Sequence, residues 1–350
     1  MLLPSEKGNV EQYIKNIPII KVPLLRLRKE FSLFYCLTFL YKYIFNIIQI
    51  YRIIKKENFD IVQLNGFANI QGALAAKLAG KKVIIQIIDT YTPSFIIKIY
   101  SFFINSLCDI FMSTGKNVAI KHLSTHISSN KITYFFPPVN FKKINPSNYN
   151  KLKEKLVFSN NPNDFIIGTL GNVNKQKGHD YFINIAAALK MKINNVKFLI
   201  IGSAGESHSD YLKELKSLCI YNNLTIDKDI FFVDPKGDVG KYLSVLDLFW
   251  FTSVPNSEGI PTAIEEAMTF GLPIISTNVG SIEEIIKNKI TGFVINYGDT
   301  KSFVRKTILL FNDKILYNKI AKNCRKFARE SFSINSCAKK HIIAFNKALS

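Results

Sequence analysis

The chain has 350 residues, 47% apolar and 21% charged, which is long and apolar enough for two domains of ordinary size and excludes a disordered protein. Its formal charge is +20, and residues 1–140 carry 17 Lys or Arg against 7 Asp or Glu. No long basic run and no interleaving of basic and aromatic residues points to nucleic acid; phosphate-bearing substrates or an anionic membrane face account for the charge.

In chain order, residues 1–6 lack the basic start and apolar core of a secretory signal. The apolar stretch 31–54 is interrupted by Lys42 and Arg52 and carries Asn46 and Gln49. A membrane span wants about 20 nearly uncharged residues, so this stretch reads as a helix buried in the core or resting on a membrane. Residues 95–103 are a second candidate for that surface. Strands are expected at 60–64, 82–87, 110–112 and 131–136, the last closed by Pro137 and Pro138, with helices at 71–79, 94–107 and 116–123 between them. A second series places strands at 165–170, 196–201, 230–233, 248–252 and 274–276, and helices at 178–190, 209–222, 239–246 and 261–270. Residues 314–349 read as mostly helical, broken near 331–336. Repeated βα units predict an α/β fold of two doubly wound, Rossmann-like domains facing a cleft. The expected division is 1–140, a linker at 141–163, a second domain at 164–330, and a C-terminal helix at 331–350 packing back towards the first domain. Five scattered cysteines without a CxxC pair read as reduced thiols of a cytoplasmic protein.

The most informative segment is 258–268, Glu-Gly-Ile-Pro-Thr-Ala-Ile-Glu-Glu-Ala-Met, followed by Gly271-Leu272-Pro273. Pro261 at the first turn and Gly271 just past the end bracket a helix. Helical spacing sets Glu266 beside Ala263 and Phe270 at the border of the buried face, and sets Glu265 with Thr262 and Thr269 on a face expected in solvent. Glu258 lies in the preceding loop, where it can accept from sugar hydroxyls, while a carboxylate at position 266 can accept from a ribose. The amides of Gly259 and Ile260, ahead of Pro261 at the helix start, suit a diphosphate.

Segment 258–268, together with 271–277, Val279-Gly280 and Glu284, resembles the donor-binding signature of the family-4 retaining glycosyltransferases (glycosyl transferases group 1) of the GT-B fold. The resemblance extends upstream through 168–173 (with Gly171 and Asn172), 176–180 (with Lys177), 198–202 (ending at Gly202) and Asp247, covering nearly all of 164–298. It implies that Glu266 binds the ribose, Glu258 the transferred sugar, and Lys177 the departing diphosphate. Charge-assisted contacts of that kind contribute roughly 1.5–3 kcal/mol each. It also implies a metal-independent hexosyl transfer with retained configuration, from a UDP- or GDP-linked sugar, without any further cofactor. The implied acceptor is a lipid-linked or other surface-polysaccharide precursor, such as one for lipopolysaccharide or capsule, at the cytoplasmic face of a membrane.

Three departures from the pattern stand out. Asn172 occupies the place of a phosphate-binding arginine, leaving the charge to Lys177, alone or with Lys175. Leu2-Leu3-Pro4 resembles the end of the family's second strand, so the first domain reads as lacking its opening strand and glycine-rich turn. The cleft-facing loop at 86–90 has no histidine, so Gln86 or Asp89 would serve there. These departures keep open a non-catalytic nucleotide-binding or partner-docking chain as an alternative, and an epimerase sharing the fold as a third. Among weaker signals, Asp227-Lys228-Asp229 reads as a solvated turn rather than a metal motif, and His122 and His126 lack further ligands.

Overall fold

The computed structural model describes residues 1–4, 16–22, 33–66, 70–90, 94–123, 127–205 and 208–350. Strand β1 (Leu2–Pro4) pairs in parallel with β2 (Ile20–Val22) as a two-stranded sheet. Helix α1 (Leu33–Glu57) follows, then β3 (Ile61–Asn65), α2 (Ile70–Leu78), β4 (Lys82–Ile87), α3 (Ser94–Leu107), β5 (Ile110–Ser113), α4 (Lys116–His122) and β6 (Ile132–Tyr134). Strands β3 to β6 lie side by side in chain order, all parallel. Helix α1 is apolar on two sides for two different reasons. Asn46, Ile50 and Ile54, each four residues apart, are buried, whereas Tyr41, Ile44, Phe45 and Ile48 stay exposed on the other side. No helix among the described residues is long and apolar enough to cross a membrane.

After the short α5 (Lys151–Lys155), the second series comprises β7 (Phe165–Leu170), α6 (His179–Lys190), β8 (Val196–Ile201), α7 (Ser209–Tyr221), β9 (Ile230–Val233), α8 (Val239–Val245), β10 (Leu248–Phe251), α9 (Thr262–Thr269), β11 (Ile274–Thr277), β12 (Gly292–Ile295) and α10 (Thr300–Asn312). The parallel sheet runs β12-β11-β10-β7-β8-β9. Helices cover both faces, so β10 is wholly apolar and β7 and β8 are largely so, interrupted by Thr169 and Lys197 rather than alternating. Trp250 anchors the core between Phe182, Phe198 and Phe303, and its indole N–H donates to Thr307 Oγ1 at 3.1 Å.

Strand order reverses between β7 and β10, and the loops leaving their carboxyl ends flank the crevice where such sheets bind ligands. Helix α11 (Lys314–Ser331) packs on α9, and α12 (Ile334–Leu349) crosses to the first sheet and packs on β4, β5 and β6. There Cys337, Ala344 and Ala348 close a small core with Ile84, Ile110, Met112 and Phe135.

Candidate active site

A cleft of about 780 Å³ opens between the carboxyl ends of the two sheets. Its walls include Asp89, Gly171, Asn172, Lys177, Glu258, Gly259, Ile260, Pro261 and Glu266. The loops after β4, β7 and β10 and the start of α9 thus bring together nine of the ten residues expected from the sequence. Gly202 is the exception and does not line the cleft. It sits beneath the β7 loop, where an added Cβ would lie 1.9 Å from the Gly171 carbonyl, so its role is to let two backbones approach.

Lys177 and Glu258 form an ion pair at 2.6 Å, and Ser253 Oγ donates to the same Glu258 oxygen at 3.0 Å. Lys177 ends a short turn capped by Asn174, whose side chain accepts from the Lys177 amide. Gly178 then takes a left-handed φ of 60°, and a Cβ there would strike the Thr252 carbonyl at 2.1 Å. Behind this turn His179 is fully buried and meets the Asn172 carbonyl at 3.3 Å. Burial pushes its imidazole down to about 4, so it is neutral and structural. Lys175 does not join Lys177, because it faces outward beside Glu214 and Tyr211. Asp227-Lys228-Asp229 is a surface turn in which Asp229 accepts from the Thr225 amide and pairs with Lys190. His122 is buried and bonded to the Val118 carbonyl, while His126 lies outside the described residues.

The adjacent glutamates are the reverse of expectation at Glu265. That side chain is 0% exposed, and neither carboxylate oxygen has a hydrogen-bond partner. The reason is tertiary: helix α11 lies over α9, so the face read as solvent is roofed by a C-terminal helix. Burial, and then the neighbouring Glu266 charge, raise the Glu265 carboxyl far above the ordinary range, so it is protonated. Glu266 is half-buried on the cleft wall, and burial lifts its carboxyl to about 7, against a smaller opposing effect of Lys143.

The two halves meet at the rear of the cleft. Thr90 Oγ1 donates to the Glu258 carbonyl at 2.8 Å, Asn117 to the Gly280 carbonyl at 3.2 Å, and the Lys116 amide to Glu284. A Cβ on Gly259 would lie 2.0 Å from the Ile88 carbonyl, so only glycine allows this closeness. On the same wall the sequence reading missed His341, which α12 carries into the cleft. The available signal was its position in the spaced set Cys337, His341, Ala344 and Ala348, the inner stripe of an amphipathic helix.

Comparison with known proteins gives consistent matches. The family model described as glycosyl transferases group 1 matches residues 150–327. The chain is 28% identical over 307 residues to an Escherichia coli protein named UDP-Gal:alpha-D-GlcNAc-diphosphoundecaprenol alpha-1,3-galactosyltransferase, covering 83% of this chain and 76% of the relative. It is 31% identical over 199 residues to the Staphylococcus aureus capsular polysaccharide biosynthesis glycosyltransferase CapM, covering 56% of this chain and 49% of the relative. The solved structure of a Rickettsia africae glycosyltransferase superposes with a TM-score of 0.80 at 21% identity, over 100% of this chain and 90% of that one. Anabaena HepE in complex with UDP does so with a TM-score of 0.80 at 16% identity, over 99% and 91%.

Proposed function

Because the chain belongs to the glycosyl transferases group 1 family and has the two-domain α/β GT-B fold, we propose that it transfers a hexosyl group from a nucleotide-sugar to a lipid-diphosphate-linked precursor of a surface polysaccharide. The observation that carries this reading is the convergence of Glu258, Lys177 and Glu266 on one cleft at the switch point of the second sheet. UDP is the favoured nucleotide and a lipid diphosphate the favoured acceptor handle, in line with the name of the Escherichia coli relative.

In this reading Glu266 accepts from the ribose hydroxyls. Two donors facing its carboxylate oppose the effect of burial, so bound nucleotide holds it ionised. Lys177 exchanges part of its ion pair with Glu258 for the diphosphate, and stabilises the charge that grows as the sugar–phosphate bond breaks. Glu258, released from that share, accepts from hydroxyls of the transferred sugar. The amides of Gly259 and Ile260 face the diphosphate from the start of α9, and Asn172 adds a hydrogen bond without charge. Asp89 stands on the opposite wall, on the acceptor side. Transfer proceeds with retained configuration and without a metal. The exposed Tyr41, Ile44, Phe45 and Ile48 of α1, flanked by Lys42, Arg52, Lys55 and Lys56, rest on the anionic cytoplasmic face of the membrane that holds the acceptor.

The test is incubation with UDP-galactose and a short-chain polyprenyl-diphosphate GlcNAc in the presence of a chelator. Disaccharide-lipid with the donor's anomeric configuration is expected. Release of UDP without it, or an inverted product, would overturn the acceptor or the stereochemical assignment respectively.

A further inference from the structure

The acceptor side of the cleft holds a polar pair that joins the two ends of the chain. His341 Nε2 lies 2.7 Å from Gln86 Nε2, and His341 Nδ1 lies 3.0 Å from the Cys337 carbonyl one helical turn earlier. The Cys337 Sγ is a longer contact of Nδ1 at 3.7 Å; the nearer carbonyl only accepts, so Nδ1 carries the proton, and in neutral imidazole Nε2 must then accept from the Gln86 amide. Phe135 packs its ring edgewise on the imidazole at 5.2 Å, and Phe345 adds a second edge at 6.2 Å, so the ring is held in plane and in place. Gln86 is only 8% exposed, and among the described residues its side-chain amide bonds to His341 alone. Both residues line the cleft together with Asp89 and Glu258, and with the NH2 group turned to His341 the amide oxygen is left for a ligand there.

We infer that His341 is a positioning residue: it fixes the Gln86 amide so that its carbonyl oxygen accepts from the hydroxyl of the incoming sugar acceptor. With the imidazole holding the NH2 group, the amide cannot flip, and the cleft is offered an acceptor rather than a donor. The ligand class is a neutral sugar hydroxyl that must itself donate. This inference rests on the proposed glycosyl transfer.

The experiment measures transfer from UDP-galactose to short-chain polyprenyl-diphosphate GlcNAc by His341→Ala, His341→Gln, Gln86→Leu and the Ala/Leu double variant, with UDP affinity as a parallel readout. Loss of one oriented hydrogen bond corresponds to about a tenfold rise in acceptor KM. His341→Ala and Gln86→Leu should each show that rise with unchanged UDP affinity, and the double variant should be no worse than either alone. His341→Gln, whose side-chain oxygen can replace Nε2 as the acceptor, should restore most of the loss. Acceptor KM within twofold of wild type in His341→Ala, or additive effects in the double variant, would overturn the pairing and leave the proposed function standing. A parallel loss of UDP affinity would show a merely structural role and overturn it as well. Wild-type protein that binds UDP but transfers nothing would remove the proposed function and this inference with it.

Discussion

The two walls of the cleft are built by opposite means. The wall supplied by the second sheet is charged and local: Lys177 and Glu258 pair at 2.6 Å, and Glu266 follows eight positions after Glu258 on the adjoining helix. The wall supplied by the first sheet is polar and assembled from afar, with Gln86 meeting His341 across 255 residues of chain. The charged ligand of the proposed function would meet groups that short motifs can encode. The inferred choice among neutral hydroxyls depends on orientation, and the Gln86–His341 pair owes its orientation to a helix returned from the far end of the chain.

The largest effect that can break this contrast is on the charged wall. Lys177→Ala is expected to lower turnover by about 10²–10³-fold, the usual loss when one preorganised charge-stabilising group is removed, while acceptor KM changes little. Steady-state kinetics with both substrates varied would show it; a loss confined to acceptor KM would merge the two walls into one. Next comes the joint between them. Gly259→Ala places a methyl 2.0 Å from the Ile88 carbonyl, so the halves must separate, with a stability cost of about 1–3 kcal/mol and a broader cleft in solution scattering. An unchanged scattering profile and melting temperature would mean that the contact is dispensable.

The neighbouring glutamates sharpen the contrast further. Glu265→Leu removes a fully buried, unpartnered carboxyl, and denaturant unfolding should show a gain of about 1–3 kcal/mol with UDP affinity unchanged. Glu266→Gln should also stabilise the nucleotide-free protein, but only conditionally. Its folded carboxyl titrates at about 7, above the ordinary 4.5, so ionising it costs stability above pH 7. That cost fades as pH falls through 7 and is gone only below about 4.5, where the carboxyl is protonated whether folded or not. The gain from Glu266→Gln is therefore about 1–3 kcal/mol at pH 8 and close to nothing below about pH 4.5. A pH-independent gain would show that the shifted carboxyl is not its source. The smallest effect is expected on α1, where Phe45→Ser should weaken binding to anionic vesicles a few-fold through lost apolar contact. Unchanged vesicle binding would detach the exposed face from any membrane role.

Legibility followed the same division. Strands and helices of both series were readable because buried parallel strands such as β7 and β10 are largely apolar runs and because helix ends carry explicit signals, as Gly271 does after α9. That Glu258, Lys177 and Glu266 would share one cleft was readable because their placement is set by loops and one short helix. Glu265 was misread because periodicity describes one helix and its sheet, and carries no record of the helix that roofs it later in the chain. His341 escaped for a related reason: the return of the C-terminal helix to the first domain was expected, but its sequence does not show which side chain would face β4 and the cleft. Gly202 was placed one layer too far forward, since a glycine that lets two backbones touch and one that touches a ligand look alike in sequence.

The most direct test of the central claim is thermal unfolding of the purified chain with and without UDP, compared in wild type, Glu266→Ala and Glu265→Leu. At about 100 times its dissociation constant UDP should add roughly 2.7 kcal/mol to wild type and to Glu265→Leu, and next to nothing to Glu266→Ala. Equal stabilisation of all three proteins would show that the nucleotide sits elsewhere, and no stabilisation of any would contradict a nucleotide-sugar site in this cleft.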